Sequence, residues 1–243
     1  QTIHAFCTQL LHQFPFEANV AARFSVLDDA EQSQLLERLT LGVLLEGAGH
    51  PGSALAQALN QAMTAAADRT FRDVVRDAIG KSDAIIQWVQ NAGSVETAIA
   101  NLARVLGVDP SDNADEIEAE YFSGAIIPLS EWPALAQIIA RGGPKDCEQA
   151  KRFARLPSLA GSERVETYLD IFCTSASSGR TERKSIVSKA VGNAALAERL
   201  LDEQQRVWTL LERRRGVSLR DRSAALLTVV HAVVTRYAKE KER

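Results

Sequence analysis

Apolar residues recur every three or four positions along almost the whole chain, and nowhere do they alternate long enough to build a central strand. Ile3, Phe6, Cys7, Leu10, Leu11 and Phe14 share one face at helical spacing, which predicts a helix over 3–14 that Pro15 stops. Phe24, Val26 and Leu27 form a short extended run. Asp28 and Asp29 then cap a helix over 29–47, with Leu35, Leu36, Leu39, Val43 and Leu44 inward. Short helices are predicted at 52–66, 69–79, 81–91 and 95–106, with Ser94 as an N-cap and Gly80, Gly93 and Gly107 at C-terminal positions. The polar stretch VDPSDNADE, 108–116, reads as the main internal loop. Helices follow at 114–123, 130–141 with Pro133 in its first turn, 145–156 and 161–173. Two long helices close the chain, 193–215 and 218–242, separated by Gly216 and Ser218. The expected class is all-α, a multi-helix domain. Aromatics make up only 6% of the 243 residues and Ala and Leu dominate, which favours helix over sheet. No fixed period is present, so a solenoid is not expected.

Charge divides unevenly along the sequence. Residues 1–140 carry 7 Lys+Arg against 18 Asp+Glu, and residues 141–243 carry 21 against 13. A split of this kind points either to two surfaces with different partners or to two solvated faces of one domain. The Gly142-Gly143-Pro144 turn marks the boundary. The cysteines, at 7, 147 and 173, are too few and scattered for a disulfide framework, so reduced thiols and a cytoplasmic setting are expected. No apolar run approaches the roughly 20 residues of a membrane span.

Catalytic patterns are missing. The histidines, at 4, 12, 50 and 231, form no HExxH. His4, Cys7 and His12 give H-x2-C-x4-H on one helix, but a structural zinc site takes four ligands, and a core Cys between polar His is the simpler reading. GRTERKS at 179–185 is no phosphate loop, because Arg183 stands where the glycine before the lysine must let backbone amides close on an anion. No metal, cofactor or catalytic residue is expected within this chain.

Nucleic-acid contact is the better physical reading. Arg183, Lys184 and Lys189 follow a Gly/Ser loop, Arg213–Arg215 end one predicted long helix, and Arg220 and Arg222 begin the next. Arg236, Lys239, Lys241 and Arg243 close the chain. Cations at helix C-termini also satisfy the dipole, which explains Arg213–Arg215 and the last four without DNA. Arg220 and Arg222, at a predicted N-terminus, escape that explanation. Few aromatics interleave with these cations, so base stacking is not expected.

The opening TIHAFCTQLL, followed by FPFEA and FSVLD, resembles the AddA family, UvrD/RecB-like superfamily 1 helicase–nucleases of bacterial double-strand break repair. Thr2, His4 and Phe6 match the T-x-H-x-F core of its motif Ic, which in that family helps shape the single-strand DNA and ATP-coupled face of the first motor domain. The stretch YLDIFCTSASSGRTERKSIVSKA is similar to a second family segment, with Phe172, Thr174, Gly179, Arg183, Lys184 and Lys189 in register; Cys173 replaces a usual Leu and Ser188 a usual Thr. Tyr237 and Lys241 fit a Y-x-x-x-K that in the family ends a long helix.

The resemblance implies that residues 1–14 are the end of motor domain 1A and residues 15–243 a helical 1B accessory subdomain, acidic over 15–140 and basic over 141–243. It implies a bacterial cytoplasmic parent that hydrolyses ATP with Mg2+, its Walker segments lying outside this chain, and an AddB-like partner subunit. The accessory subdomain would grip duplex DNA near the fork without reading sequence, through Arg183, Lys184 and Lys189 first and Arg220 and Arg222 second. His4 and Phe6 would meet single-strand DNA or the motor only in the full protein. The rival expectation is a structural module that docks a partner and leaves DNA alone. Ile3, Phe6 and Leu10 would form an apolar patch without the motor.

Overall fold

The computed structural model describes residues 2–18, 24–65, 68–176 and 179–241; for 65, 68, 69, 72, 176 and 241 it describes the backbone alone. Eleven α-helices account for most of the described residues. They are α1 Ile3–Gln13, α2 Asp29–Gly49, α3 Ala54–Ala65, α4 Asp68–Ile79, α5 Ser82–Ala92, α6 Val95–Val105, α7 Ala114–Ser123, α8 Trp132–Ile139, α9 Pro144–Arg155, α10 Gly161–Phe172 and α11 Ala194–Lys241. One antiparallel hairpin, β1 Cys173–Ala176 and β2 Gly179–Glu182, lies between α10 and α11. The all-α expectation stands.

Polar caps set several helix starts. Asp28 Oδ1 accepts from Glu31 N at 2.8 Å while Glu31 Oε2 accepts from Asp28 N at 3.0 Å, a reciprocal box that fixes the start of α2. Ser94 Oγ accepts from Thr97 N at 3.1 Å and Asn113 Oδ1 from Asp115 N at 2.8 Å. Gly93 and Gly107 take φ of +90° and +70°, as their C-terminal positions require.

The chain divides into two compact units, Gln1–Asn101 with Asp221–Arg243, and Leu102–Arg220. In the first, Val43 of α2, Leu59 of α3 and Phe71, Val75 and Ile79 of α4 pack with Val229, Val230, Val233 and Val234 of α11. In the second, Trp132 is fully buried, stacked on Phe153 at 4.7 Å, and its Nε1 donates to Ile127 O at 3.0 Å. Tyr168, Phe172, Leu200 and Val207 complete that core.

The C-terminus departs from expectation. The two long helices predicted at 193–215 and 218–242 are one continuous helix of 48 residues, α11. Gly216 does not end it. A Cβ there would sit 2.6 Å from Val108 Cγ1, so this glycine lets the 106–108 segment approach the helix backbone. The Gly/Ser-rich basic stretch SASSGRTERKS, 175–185, expected as a flexible loop, is in part the hairpin, paired Cys173↔Glu182 through Ala176↔Gly179, with Thr174 and Thr181 hydroxyls 2.6 Å apart.

Candidate nucleic-acid interface

The segment carrying Arg183, Lys184 and Lys189 is built around the end of α10. A helix leaves its last carbonyls without intrahelical partners. Here they are met from three directions. Arg183 donates to Asp170 O through Nε at 3.1 Å and Nη2 at 2.8 Å. Gln149 Nε2, from α9, donates to Ile171 O at 3.0 Å. Gln204 Nε2, from α11, donates to Phe172 O at 2.7 Å and to Arg183 O at 3.0 Å. Asp146, nearly buried at the start of α9, accepts from Ser188 N at 2.7 Å and Ser188 Oγ at 2.5 Å, and from Gly143 N at 2.8 Å. Burial opposes its charge, but these donors outweigh burial and hold its carboxyl below the usual range. Residues 183–188 are therefore pinned at both ends.

Lys184 and Lys189 are exposed and meet no carboxylate among the described residues. Arg183 is half-buried and serves the α10 terminus with two of its nitrogens. Arg220 is buried and ties down the 109–112 loop, donating from Nη1 to Asp109 O and Pro110 O at 3.1 Å each and from Nη2 to Asp112 O at 2.9 Å. Arg222 is exposed on α11 in the first unit. Because α11 is continuous, neither residue sits at a helix N-terminus, and the dipole argument that singled them out falls away. The same continuity removes the C-terminal explanation of Arg213–Arg215.

Those three arginines face carboxylates. Arg213 holds Asp112 and reaches Glu120 Oε2 at 3.1 Å, Arg214 pairs with Glu118, and Arg215 pairs with Glu212 while its guanidinium lies 5.4 Å from the Trp208 ring centre. The Arg213 hydrogen bond holds the Asp112 carboxyl below its usual range despite burial. Arg180, in the hairpin, is claimed by Glu166 and Asp170. Arg236 pairs with Glu46. Arg243 lies outside the described residues.

Arg152 is the cation that the sequence reading overlooked. It is half-exposed on α9, and its Nη1 donates to Gln149 Oε1 at 2.6 Å. Its charge also bears on Arg183, whose guanidinium is shifted down mainly by burial and next by Arg152. The only local hint was its spacing of three from Gln149.

At the N-terminus, Thr2 caps α1 by accepting from Ala5 N at 3.4 Å. His4 and Phe6 are exposed and α1 buries no side chain. Ile3, Phe6, Leu10 and Phe14 are exposed by 80, 56, 47 and 47%. The His12 ring stacks on Phe24 at 4.2 Å. A cleft of about 380 Å³ between α2 and α4 is lined by Leu36, Leu41, Leu44, Phe71, Val75 and Ile79. Among the described residues no three His, Cys, Asp or Glu are grouped to hold a metal, and no helix is long and apolar enough to cross a membrane. All three cysteines are free, Cys7 exposed and Cys173 buried.

Comparison of the chain with protein-family models, with curated proteins and with solved structures finds no match.

Proposed function

We propose that this chain is a helical accessory domain of an AddA-like helicase–nuclease and that it grips duplex DNA through the segment 183–189, without reading sequence. The observation that carries the proposal is that Lys184 and Lys189 are exposed on, and directly after, a segment pinned at both ends, whereas Arg180, Arg199, Arg206, Arg213 and Arg214 are matched to carboxylates. A cation on a fixed backbone adds no backbone entropy loss on meeting a phosphate, and phosphate contacts orient a protein on a duplex without sequence information. Motif Ic-like residues Thr2, His4 and Phe6 would then belong to the motor, where ATP and Mg2+ act.

The test is anisotropy of a labelled 20-base-pair duplex at 50 and 200 mM salt. Losing two phosphate contacts in Lys184→Gln/Lys189→Gln should flatten the slope of log affinity against log salt by about 1.8, so the fourfold salt rise weakens wild type about 12-fold more than the variant. Equal slopes refute the assignment.

A second reading, docking of an AddB-like subunit, is favoured by the exposed apolar face of α1 and the cleft between α2 and α4. Under that reading DNA binding is weak and nearly independent of salt, while Phe6→Glu and Leu41→Glu abolish capture of the partner.

A further inference from the structure

We infer that Arg152 and Arg183 together form a phosphate clamp, two guanidinium groups that receive one phosphodiester of the DNA backbone. The inference rests on the DNA-binding reading and names a residue, Arg152, that neither the basic clusters of the sequence nor the resemblance marked.

The geometry is specific. Gln149 stands between Arg152 and the end of α10: its Oε1 accepts from Arg152 Nη1 at 2.6 Å, and its Nε2 donates at 3.0 Å to Ile171 O. The neighbouring carbonyl, Asp170 O, accepts from Arg183. Two half-exposed guanidinium groups are thus fixed to adjacent points of one helix end. Their acceptors in these bonds are amide and carbonyl oxygens, which anchor them without neutralising them. The Asp170 carboxylate, the anion whose field reaches Arg183, is bound by Arg180 Nη1 at 2.6 Å. Asp146, on the same face of α9, is committed to Ser188 and Gly143.

Like charges held together are destabilising unless something of opposite charge meets them. Elsewhere in this unit Arg206, Arg213 and Arg214 each have a carboxylate. Here neither arginine has a carboxylate bond of its own: Asp170, beside Arg183, is bound by Arg180, and Glu148, whose field reaches Arg152, is bound by Lys151 at 2.7 Å. A phosphate suits this pair in chemistry, because planar guanidinium forks match its oxygens with paired hydrogen bonds. Lys184 and Lys189, on the same pinned segment, supply the surrounding attraction.

Arg152 is the clean position to test, since Arg183 also caps α10. Duplex binding of the intact chain is measured as above for wild type, Arg152→Gln and Arg152→Lys, with circular dichroism to verify the fold. The clamp predicts a 5- to 10-fold loss for Arg152→Gln, a salt slope flatter by less than about 0.9 because Arg183 still meets the same phosphate, and only partial recovery in Arg152→Lys. If Arg152→Gln matches wild type while Lys184→Gln/Lys189→Gln loses affinity, the clamp is wrong and the DNA reading stands. If wild type binds no duplex, the DNA reading fails, and inorganic phosphate decides the clamp by thermal shift against chloride at matched ionic strength. A rise in melting temperature that Arg152→Gln abolishes upholds the site with free phosphate as its ligand. No rise in wild type overturns it.

Discussion

Glu203→Ala is the sharpest perturbation of the second unit. This carboxylate is fully buried. It accepts from Ile126 N at 2.7 Å, from Tyr168 Oη, and from Arg206 Nη2 at 2.6 Å and Nε at 3.2 Å. The Tyr168 hydroxyl is pushed well above its usual range, first by burial and then by the Glu203 charge. Arg206 is shifted up because Glu203 and Tyr168 outweigh burial. Truncation strands three donors, one of them charged. Breaking a buried pair by removing one partner costs about 3–5 kcal/mol. Arg206 keeps Glu120 O at 3.0 Å and Tyr121 O at 2.6 Å, which places the expected loss near the lower part of that range, about 3 kcal/mol. At a urea dependence of about 3 kcal/mol per molar, the midpoint falls by roughly 1 M. The assay is urea unfolding followed by tryptophan fluorescence in a Trp88→Phe background, because Trp132 and Trp208 both belong to this unit. A loss below about 1 kcal/mol would refute the reasoning, since it would mean that solvent or other groups already satisfy these donors.

Gly216→Ala should raise helix propensity by about 1 kcal/mol yet destabilise the chain, because its Cβ meets buried Val108 at 2.6 Å and overpacking costs about 1–3 kcal/mol. A double-mutant cycle with Val108→Ala should show a coupling of about 1 kcal/mol or more in favour of the pair; additive effects would contradict it. Asp112 and Asp146 both have lowered carboxyl values, Asp112 chiefly through the Arg213 hydrogen bond and Asp146 because the Ser188 and Gly143 donors overcome burial. A depressed carboxylate contributes stability that is complete above the unfolded value near pH 4 and disappears as pH falls through the folded value. Unfolding free energy followed from pH 7 to 2 should therefore drop below about pH 4, and less steeply in Asp112→Asn.

Local signals reached far into this fold. The start of α2 at Asp29 was legible because Asp28 and Glu31 cap each other through neighbours in sequence. The helix expected over 114–123 is α7, whose start Asn113 caps from the residue just before it. Signals failed where a distant segment decided the outcome. Gly216 reads as a break, and only the approach of Val108, over a hundred residues earlier, shows it to be a spacer inside α11. The hairpin strands, CTSA and GRTE, have no alternating apolar pattern; side chains from α9, α11 and the segment after the hairpin brace its base. The sequence displays Arg183 as a cation and conceals that Asp170 O already holds it. It conceals the role of Arg152, which reads as one of the cations, Lys151, Arg152 and Arg155, that close α9.

Charge shows how the two kinds of information differ. Along the sequence, 7 Lys+Arg against 18 Asp+Glu precede 21 against 13. Counted by structural unit, the imbalance nearly vanishes: 11 against 14 in one and 17 against 17 in the other. The fold achieves this by pairing early acids with late bases, Asp112 and Glu120 with Arg213, Glu118 with Arg214, Glu131 with Arg199 and Glu46 with Arg236. Much of the basic half is thus spent on internal pairing and does not create a field for a polyanion. On the proposed DNA reading, what the second unit offers a duplex is local: Lys184, Lys189 and the Arg152–Arg183 pair. Three phosphates, one met by the arginine pair and one by each lysine, would set a salt slope near −2.7, far shallower than the full tally of C-terminal cations would give. On the AddA-like reading, a domain with that slope would orient a duplex already held by a motor and release it readily.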